Sequence, residues 1–139
     1  MRSGPWHILL IDDDDVTNFL SREMLRLSVP DAVVVAMQNG REALDFLQNG
    51  LRGQDTLPDI ILLDINMPVM DGWDFLEGFD KLKSSADPQI LDAISIFMFT
   101  SSVYYEDMNK AKSFPSVRNI FSKPLDENRI SEILESSSR

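Results

Sequence analysis

The amino-acid sequence predicts an α/β fold, in which helices cover both faces of a five-stranded parallel sheet. Five short runs are apolar on consecutive residues, which is typical of strands buried on both faces of such a sheet. Segments whose apolar residues recur every three or four positions separate these runs, as expected for amphipathic helices. Strand and helix therefore alternate five times along the chain, the pattern that produces a parallel sheet.

Each apolar run is about as long as a typical strand. In chain order the predicted strands are His7–Ile11, Ala32–Met37, Asp59–Leu63, Ile94–Phe99 and Asn119–Phe121. Because crossovers between parallel strands are right-handed, this order favours a doubly wound, flavodoxin-like sheet with strand order 2-1-3-4-5 and five helices. Ligands of such sheets bind beyond the carboxyl ends of the strands, near the switch between the first and third strands.

Four of the five predicted helices have a clear apolar stripe, which we expect to face the sheet. The stripes are Val16, Phe19, Leu20, Met24 and Leu27 in the first helix, Ala43, Phe46 and Leu47 in the second, Phe75, Leu76, Phe79 and Leu82 in the third, and Ile130, Ile133 and Leu134 in the last. The helix over residues 105–114 is weaker, with Met108, Ala111 and Phe114 facing inward. The longest loops are expected at residues 49–57 and 84–92.

The length and the composition of the chain exclude several kinds of protein. A chain of 139 residues suits one domain, expected to span residues 1–139 with its core at about 6–135 and without an output domain. The net charge of −10 argues against binding to nucleic acid or anionic membranes. The absence of cysteine excludes thiolate metal sites and thiol nucleophiles. No apolar run approaches the ~18 residues of a membrane span, so we expect a cytoplasmic protein.

The predicted carboxyl edge of the sheet collects five polar side chains. Asp12 and Asp13 follow the first strand, and Asp64 follows the third. Thr100 follows the fourth strand and Lys123 lies at the end of the fifth. Since parallel strands end at one edge, we expect three carboxylates, a hydroxyl and an ammonium group to meet there.

This set of groups is suited to phosphoryl transfer. Clustered carboxylates raise one another's pKa unless a cation lies between them, and Mg²⁺ prefers sites with one or two carboxylates and water. Lys123 and Thr100 supply a positive charge and a hydroxyl donor for phosphate oxygens. Because a carboxylate can accept a phosphoryl group covalently, the sequence predicts phosphoryl transfer to an Asp.

These residues, in this order, resemble the receiver domain of two-component response regulators of the chemotaxis-regulator type. The resemblance extends from about Trp6 to Leu134 and is strongest over residues 58–72, which read PDIILLDINMPVMDG. It implies that Asp64 accepts a phosphoryl group from the phosphohistidine of a sensor kinase or a phosphotransferase.

The resemblance also implies a Mg²⁺ cofactor and assigns its ligands. Asp13 would bind the ion directly and Asp12 through water, with Asp64 and the backbone carbonyl of Asn66 completing the set. Lys123 would pair with Asp64 before transfer and with a phosphoryl oxygen afterwards.

Further residues acquire roles from the same resemblance. The peptide bond from Lys123 to Pro124 is expected to be cis, Thr100 to turn toward the phosphoryl group, and the backbone N–H groups of Ser101 and Ile65 to donate to it. The side chains of Asn66 and Ser102, two residues beyond Asp64 and Thr100, would flank the attacking water and tune hydrolysis of the acyl phosphate.

One position departs from the family. Three residues before the Lys, the family has a Tyr or Phe that rotates inward as the Thr moves, whereas this chain has Ile120 followed by Phe121. A β-branched side chain has few rotamers and no ring to swing. Either signalling proceeds without an aromatic switch, or Phe121 takes that place.

Two other functions compete with this interpretation. The segment from Asp13 to Thr17 matches the DxDxT pattern of haloacid dehalogenase-type phosphatases, in which Asp13 would be the nucleophile. That family needs a further acidic pair after Lys123 on another strand, and the short segment there reads as a helix. A structural receiver-like module without phosphorylation is favoured only by Ile120.

We therefore predict a single-domain receiver that catalyses phosphorylation and dephosphorylation of its own Asp64 and is otherwise not an enzyme. Phosphorylation would shift the population between two conformers. Output would then pass to an unknown protein, by binding or by onward phosphotransfer. Tyr104 and Tyr105 are either part of a partner-binding patch or ordinary loop aromatics.

Overall fold

A computed structural model describes residues 4–85 and 88–137 of the chain. Its five strands are β1 (His7–Ile11), β2 (Val33–Met37), β3 (Ile60–Asp64), β4 (Ser95–Thr100) and β5 (Val117–Ser122). They form one parallel sheet in the order β2-β1-β3-β4-β5, which confirms the predicted order. Each strand overlaps one of the five apolar runs. The inner strands β1, β3 and β4 are apolar because both of their faces are buried, whereas the edge strands β2 and β5 are partly exposed.

The described part of the chain has six helices, one more than predicted: five connect the strands and the sixth follows β5. They are α1 (Asp15–Ser28), α2 (Gly40–Leu51), α3 (Gly72–Ser85), α4 (Pro88–Asp92), α5 (Tyr105–Ala111) and α6 (Glu127–Ser137). Within the described ranges, none of the helices is both long enough and apolar enough to cross a lipid bilayer.

The additional helix, α4, lies inside the segment 84–92 that the sequence analysis predicts as a loop. Proline is favoured at the first position of a helix, where its missing N–H has no partner to lose, and Pro88 begins α4. Leu91 of this helix is fully buried. A helix of five residues is too short for a periodic apolar pattern, so spacing could not reveal it. Ala86 and Asp87 of this segment lie outside the described residues.

The sheet separates two apolar cores. Since alternate strand residues point to opposite faces, Leu9 and Ile11 of β1 pack with α2 and α3, whereas Ile8 and Leu10 pack with α1 and α6. The apolar stripes predicted for the second, third and last helices all belong to these cores, which confirms them.

The first helix turns a different face to the sheet from the one predicted. Four of the five stripe residues are mostly exposed, namely Val16 (64%), Phe19 (62%), Leu20 (57%) and Leu27 (68%). The buried residues of α1 are Asn18 and Leu25, with Met24 half-buried beside them. Helical spacing identifies residues that share a face, but it does not decide whether that face meets protein or solvent. The prediction for this stripe was wrong except at Met24.

The weak helix prediction over 105–114 is confirmed in part. Ala111 is buried and Phe114 packs against the core under α2 and α3, but Met108 is exposed rather than inward-facing. Because α5 is only seven residues long, it has too few turns for spacing to define its buried side.

Candidate functional site

The carboxyl edge of the sheet brings together the polar residues that the sequence places at strand ends. Asp12 directly follows β1, and Asp64 and Thr100 are the last residues of β3 and β4. All three are buried, with at most 6% of their surface exposed. Lys123 directly follows β5, and its backbone N–H donates to the carbonyl of Thr100 at 2.8 Å. Two buried carboxylates thus lie at the end of neighbouring strands, where an isolated charge would be strongly unfavourable.

Lys123 supplies the counter-charge for both buried carboxylates. Its Nζ lies 2.8 Å from Oδ2 of Asp12 and 3.2 Å from Oδ1 of Asp64. The peptide bond from Lys123 to Pro124 is cis, as expected. The ammonium group is therefore placed between the two carboxylates.

The surroundings of Asp64 raise the pKa of its carboxyl group. Burial, together with the nearby charge of Asp12, raises the pKa of Asp64 to about 6, against the opposing effects of Lys123 and of the backbone N–H of Asn66. Burial opposes the charged form of Lys123, but the hydrogen bond to Asp12 and the charges of both carboxylates raise the pKa of the ammonium group. At neutral pH most Asp64 side chains are consequently ionised, and Lys123 is positively charged.

The three carboxylates fit a divalent cation. One oxygen from each of Asp12, Asp13 and Asp64 lies within 4.8 Å of the others. Asp13 is exposed, and its carboxylate makes no hydrogen bond or ion pair with any other residue in the ranges 4–85 and 88–137. Carboxylate oxygens with an open, water-accessible side are what Mg²⁺ prefers. These residues could therefore hold the predicted ion.

The loop around Asp12 is fixed by contacts that the sequence analysis missed. The N–H of Asp14 donates to Oδ1 of Asp12 at 2.9 Å. The side-chain amide of Asn18 donates to the carbonyl of Asp12, also at 2.9 Å. The sequence carries no signal for Asn18, because the apolar spacing of α1 predicted a different face of this helix as the inward one.

Thr100 is at the site, but its hydroxyl is engaged elsewhere. It donates to the backbone carbonyl of Ser102 at 3.2 Å, inside the loop that leads to α5. Ser101 and Ser102 are exposed, and so is Asn66, two residues beyond Asp64. The side chains expected to flank an attacking water are thus accessible to solvent.

The backbone N–H of Asn66 lowers the pKa of the Asp64 carboxyl. Ile65, which the resemblance named as a phosphoryl contact, donates its N–H to the carbonyl of Phe99 at 3.1 Å. Ile65 would have to give up this hydrogen bond in order to contact a phosphoryl group, so its role stays a prediction.

The pairing of β4 with β5 has one irregularity, between Ile96 and Phe97, and beyond it Ile120 pairs with Met98 and Phe121 with Phe99. Ile120 packs against the core under α2 and α3. Phe121 points to the opposite face, where its ring stacks on Phe97 at a centroid distance of 6.0 Å. Ile120 and Phe121 therefore pack on opposite faces of the sheet, and the absence of an aromatic switch stays a prediction.

A cavity of about 120 Å³ opens beside the site, between α1 and the segment that follows β5. Its walls are largely apolar and include Leu20, Phe99 and Leu125, while Asp12 and Lys123 line its polar side. The exposed apolar face of α1 thus continues into a recess that reaches the buried carboxylates.

Comparison with known proteins agrees with this geometry. The chain matches the sequence model of the response regulator receiver domain over residues 8–135. It is 31% identical to response regulator Rcp1 of Synechocystis over 105 residues, which cover 75% of this chain and 67% of Rcp1.

Solved structures give the same result. A two-component response regulator from Cytophaga hutchinsonii superposes with a TM-score of 0.81 and 27% identity, covering 97% of this chain and 98% of that one. The Mn²⁺-bound form of Rcp1 superposes with a TM-score of 0.70 and 26% identity, covering 94% and 91%. The dehalogenase-type alternative is not supported by these comparisons, and Lys123 contacts Asp12 and Asp64 rather than Asp13.

Proposed function

Because the chain belongs to the response regulator receiver domain family, we propose that it accepts a phosphoryl group from a phosphohistidine on Asp64. The observation that carries this proposal is the buried carboxylate of Asp64, 3.2 Å from the Lys123 ammonium and within 4.8 Å of the oxygens of Asp12 and Asp13. A carboxylate so placed has a cation site on one side and a positive charge on the other.

The transfer is a nucleophilic displacement at phosphorus. An oxygen of ionised Asp64 attacks, a P–O bond forms, and the P–N bond to the histidine breaks, with its electron pair returning to the imidazole nitrogen. Mg²⁺, when bound by Asp12, Asp13, Asp64 and the carbonyl of Asn66, supplies positive charge for the phosphoryl oxygens. Lys123 stabilises the same charge by moving from the Asp64 oxygen to a phosphoryl oxygen. In hydrolysis, water that passes the exposed side chains of Asn66 and Ser102 forms a bond to phosphorus. The P–O bond to Asp64 breaks, which releases inorganic phosphate and returns the carboxylate.

The phosphodonor is a protein in this proposal, either a sensor histidine kinase or a histidine phosphotransferase. Support comes from the apolar face of α1, whose exposed side chains include Phe19 and Leu20. Leu20 also lines the cavity that reaches Asp64. Exposed apolar patches on one side of a site are typical of protein contact surfaces, and a donor seated there would bring its histidine to the carboxyl edge.

Output is proposed to begin at Thr100. If the Thr100 hydroxyl turns to a phosphoryl oxygen, its hydrogen bond to the Ser102 carbonyl is lost. The loop released in this way continues into Tyr104 and Tyr105, which are 61% and 75% exposed. We propose that this aromatic surface binds a downstream protein, or that Asp64 passes its phosphoryl group to a second histidine. We propose that the protein acts in the cytoplasm.

Transfer from a phosphohistidine protein tests the proposal. Histidine kinases and phosphotransferases, labelled with radioactive phosphate, are mixed with the chain in Mg²⁺, and the label is followed on a gel. Transfer to the wild type and none to Asp64→Asn is expected. Leu20→Glu should slow transfer from the protein donor while leaving reaction with a small acyl phosphate unchanged, whereas equal slowing of both would contradict docking on α1.

A further inference from the structure

Asn18 is a polar residue on the side of α1 where the fold requires apolar ones. It is one of the two buried residues of this helix, the other being Leu25, which lies two helical turns later. Burial of an amide is unfavourable unless it is hydrogen bonded, and Asn also favours helices weakly. The presence of Asn18 is therefore explained only by what its side chain contacts.

That contact is the backbone of the acidic loop. The Nδ2 group of Asn18 donates to the backbone carbonyl of Asp12 at 2.9 Å, and both groups are buried. Asp12 lies one residue beyond Ile11, the last residue of β1 that pairs with its neighbours. Since a buried carbonyl requires a hydrogen-bond donor, Asn18 supplies one where the sheet ends.

The hydrogen bond from Asn18 also fixes one side of Asp13. A peptide unit is planar, so anchoring the Asp12 carbonyl fixes the plane that joins Asp12 to Asp13. On the other side, the N–H of Asp14 donates to Oδ1 of Asp12 at 2.9 Å, which fixes the plane that joins Asp13 to Asp14. Asp13 is thus held between two anchored peptide planes, with its carboxylate exposed.

We propose that Asn18 is a positioning residue, which preorganises the Asp13 carboxylate to bind a divalent cation together with Asp12 and Asp64. The inference rests on the proposed function, because it requires a cation at these carboxylates. Groups that orient metal ligands without touching the ion typically contribute 10–100-fold to metal affinity. Without the donor from Asn18, the peptide between Asp12 and Asp13 has to be ordered when the ion binds, and affinity falls accordingly.

Titration of the full chain with MgCl₂, followed by calorimetry, tests the inference. Asn18→Ala and Asn18→Leu both remove the donor, and Ala is the residue that favours a helix most. We expect the Mg²⁺ dissociation constant to rise about tenfold in both variants.

Ser137→Ala provides the matched control. Its buried hydroxyl donates to the carbonyl of Ile133 at 2.8 Å, within α6 and at the end of this helix remote from the carboxyl edge. This variant should bind Mg²⁺ as the wild type does, even if urea unfolding in EDTA shows that it has lost stability.

The outcomes are distinguishable. Wild-type Mg²⁺ affinity in Asn18→Ala, accompanied by lower stability in EDTA, would make Asn18 a purely structural residue and overturn the inference. Failure of the wild-type chain to bind Mg²⁺ would instead overturn the proposed function.

Discussion

The Nζ atom of Lys123 donates to Oδ2 of Asp12 at 2.8 Å. Its distance to Oδ1 of Asp64 is longer, 3.2 Å, so one ammonium group is shared between two buried carboxylates. The resemblance to receivers predicts pairing with Asp64 but not the shorter contact with Asp12. Because a phosphoryl group on Asp64 would offer Lys123 new oxygens, the proposed phosphorylation would first change the balance between these two contacts.

Lys123→Met leaves two buried carboxylates without their counter-charge. We expect the free energy of unfolding at pH 7.5 to fall by about 2 kcal/mol, because removal of one partner of a buried ion pair leaves the other charge buried and unpaired. Urea unfolding in EDTA measures this. Arg26→Met is the matched control, because both members of its ion pair with Glu23, at 2.9 Å, are exposed, and exposed pairs contribute little to stability. An equal loss in both variants would contradict the account.

The raised pKa of Asp64 gives the stability a definite dependence on pH. In the folded chain Asp64 holds its proton up to about pH 6, whereas its ordinary pKa is 3.8. The folded state therefore binds more protons between these values, so this group's stabilising effect is present below pH 3.8 and is lost as the pH rises through about 6. We expect Asp64→Asn to be more stable than the wild type at pH 8, by on the order of 3 kcal/mol at most.

Urea unfolding between pH 4 and pH 8 measures this difference, with Asp31→Asn as an exposed control. If the stability of the wild type rose, relative to that of Asp64→Asn, as the pH increased through 6, the ionised carboxyl would not be destabilised by its surroundings and the prediction would be wrong.

The raised pKa of Asp64 also predicts that Mg²⁺ affinity falls as the pH drops through about 6, because protonated Asp64 is a poor ligand for the ion.

Gly72 allows α3 to begin directly against the end of β3. A Cβ atom at this position would lie 2.8 Å from the carbonyl oxygen of Asp64 and 3.0 Å from the Cα of Ile65. Both are backbone atoms, so Gly72→Ala has to displace the loop, and we expect a loss of about 2 kcal/mol in stability together with slower phosphorylation. Gly78→Ala is the control, because its Cβ would meet the flexible end of Leu44. Thermal unfolding should show the smaller loss for this variant.

The fluorescence of Trp73 can report movement of α5. Its ring stacks on Phe114 at a centroid distance of 6.1 Å, and the Lys110 ammonium lies 4.9 Å from its centroid. If phosphorylation releases the loop before α5, the surroundings of this ring change. In a Trp6→Phe background we expect Trp73 emission to shift when a small acyl phosphate and Mg²⁺ are added, and to stay constant when Asp64→Asn is also present. Constant emission in both proteins would contradict movement of α5.

The strands and most of the site residues could be predicted from the sequence, because both depend on short local patterns of apolar and polar residues. Continuous apolar runs identify parallel strands, and their polar ends then identify the carboxyl edge. Asp12, Asp64 and Lys123 meet there because the strand order makes β1 and β3 neighbours and brings β5 near them.

The remaining features depend on contacts between distant residues. The spacing of Val16 and Phe19 is equally compatible with a buried and an exposed face, and the packing of α6 against α1 decided between them. Helix α4 is too short to show a periodic apolar pattern in the sequence, and burial of Leu91 sets the position of this helix. Asn18 could be recognised only once its partner, the Asp12 carbonyl, had been placed.

Identification of the phosphorylated residue tests the central claim most directly. The chain is incubated with a small acyl phosphate, with Mg²⁺ or with EDTA, and its intact mass and peptide masses are measured for the wild type, Asp64→Asn and Asp13→Asn. The account predicts one phosphoryl group, on the peptide that contains Asp64, only with Mg²⁺, absent in Asp64→Asn and reduced in Asp13→Asn. A phosphoryl group on Asp13, or equal labelling of wild type and Asp64→Asn, would contradict it.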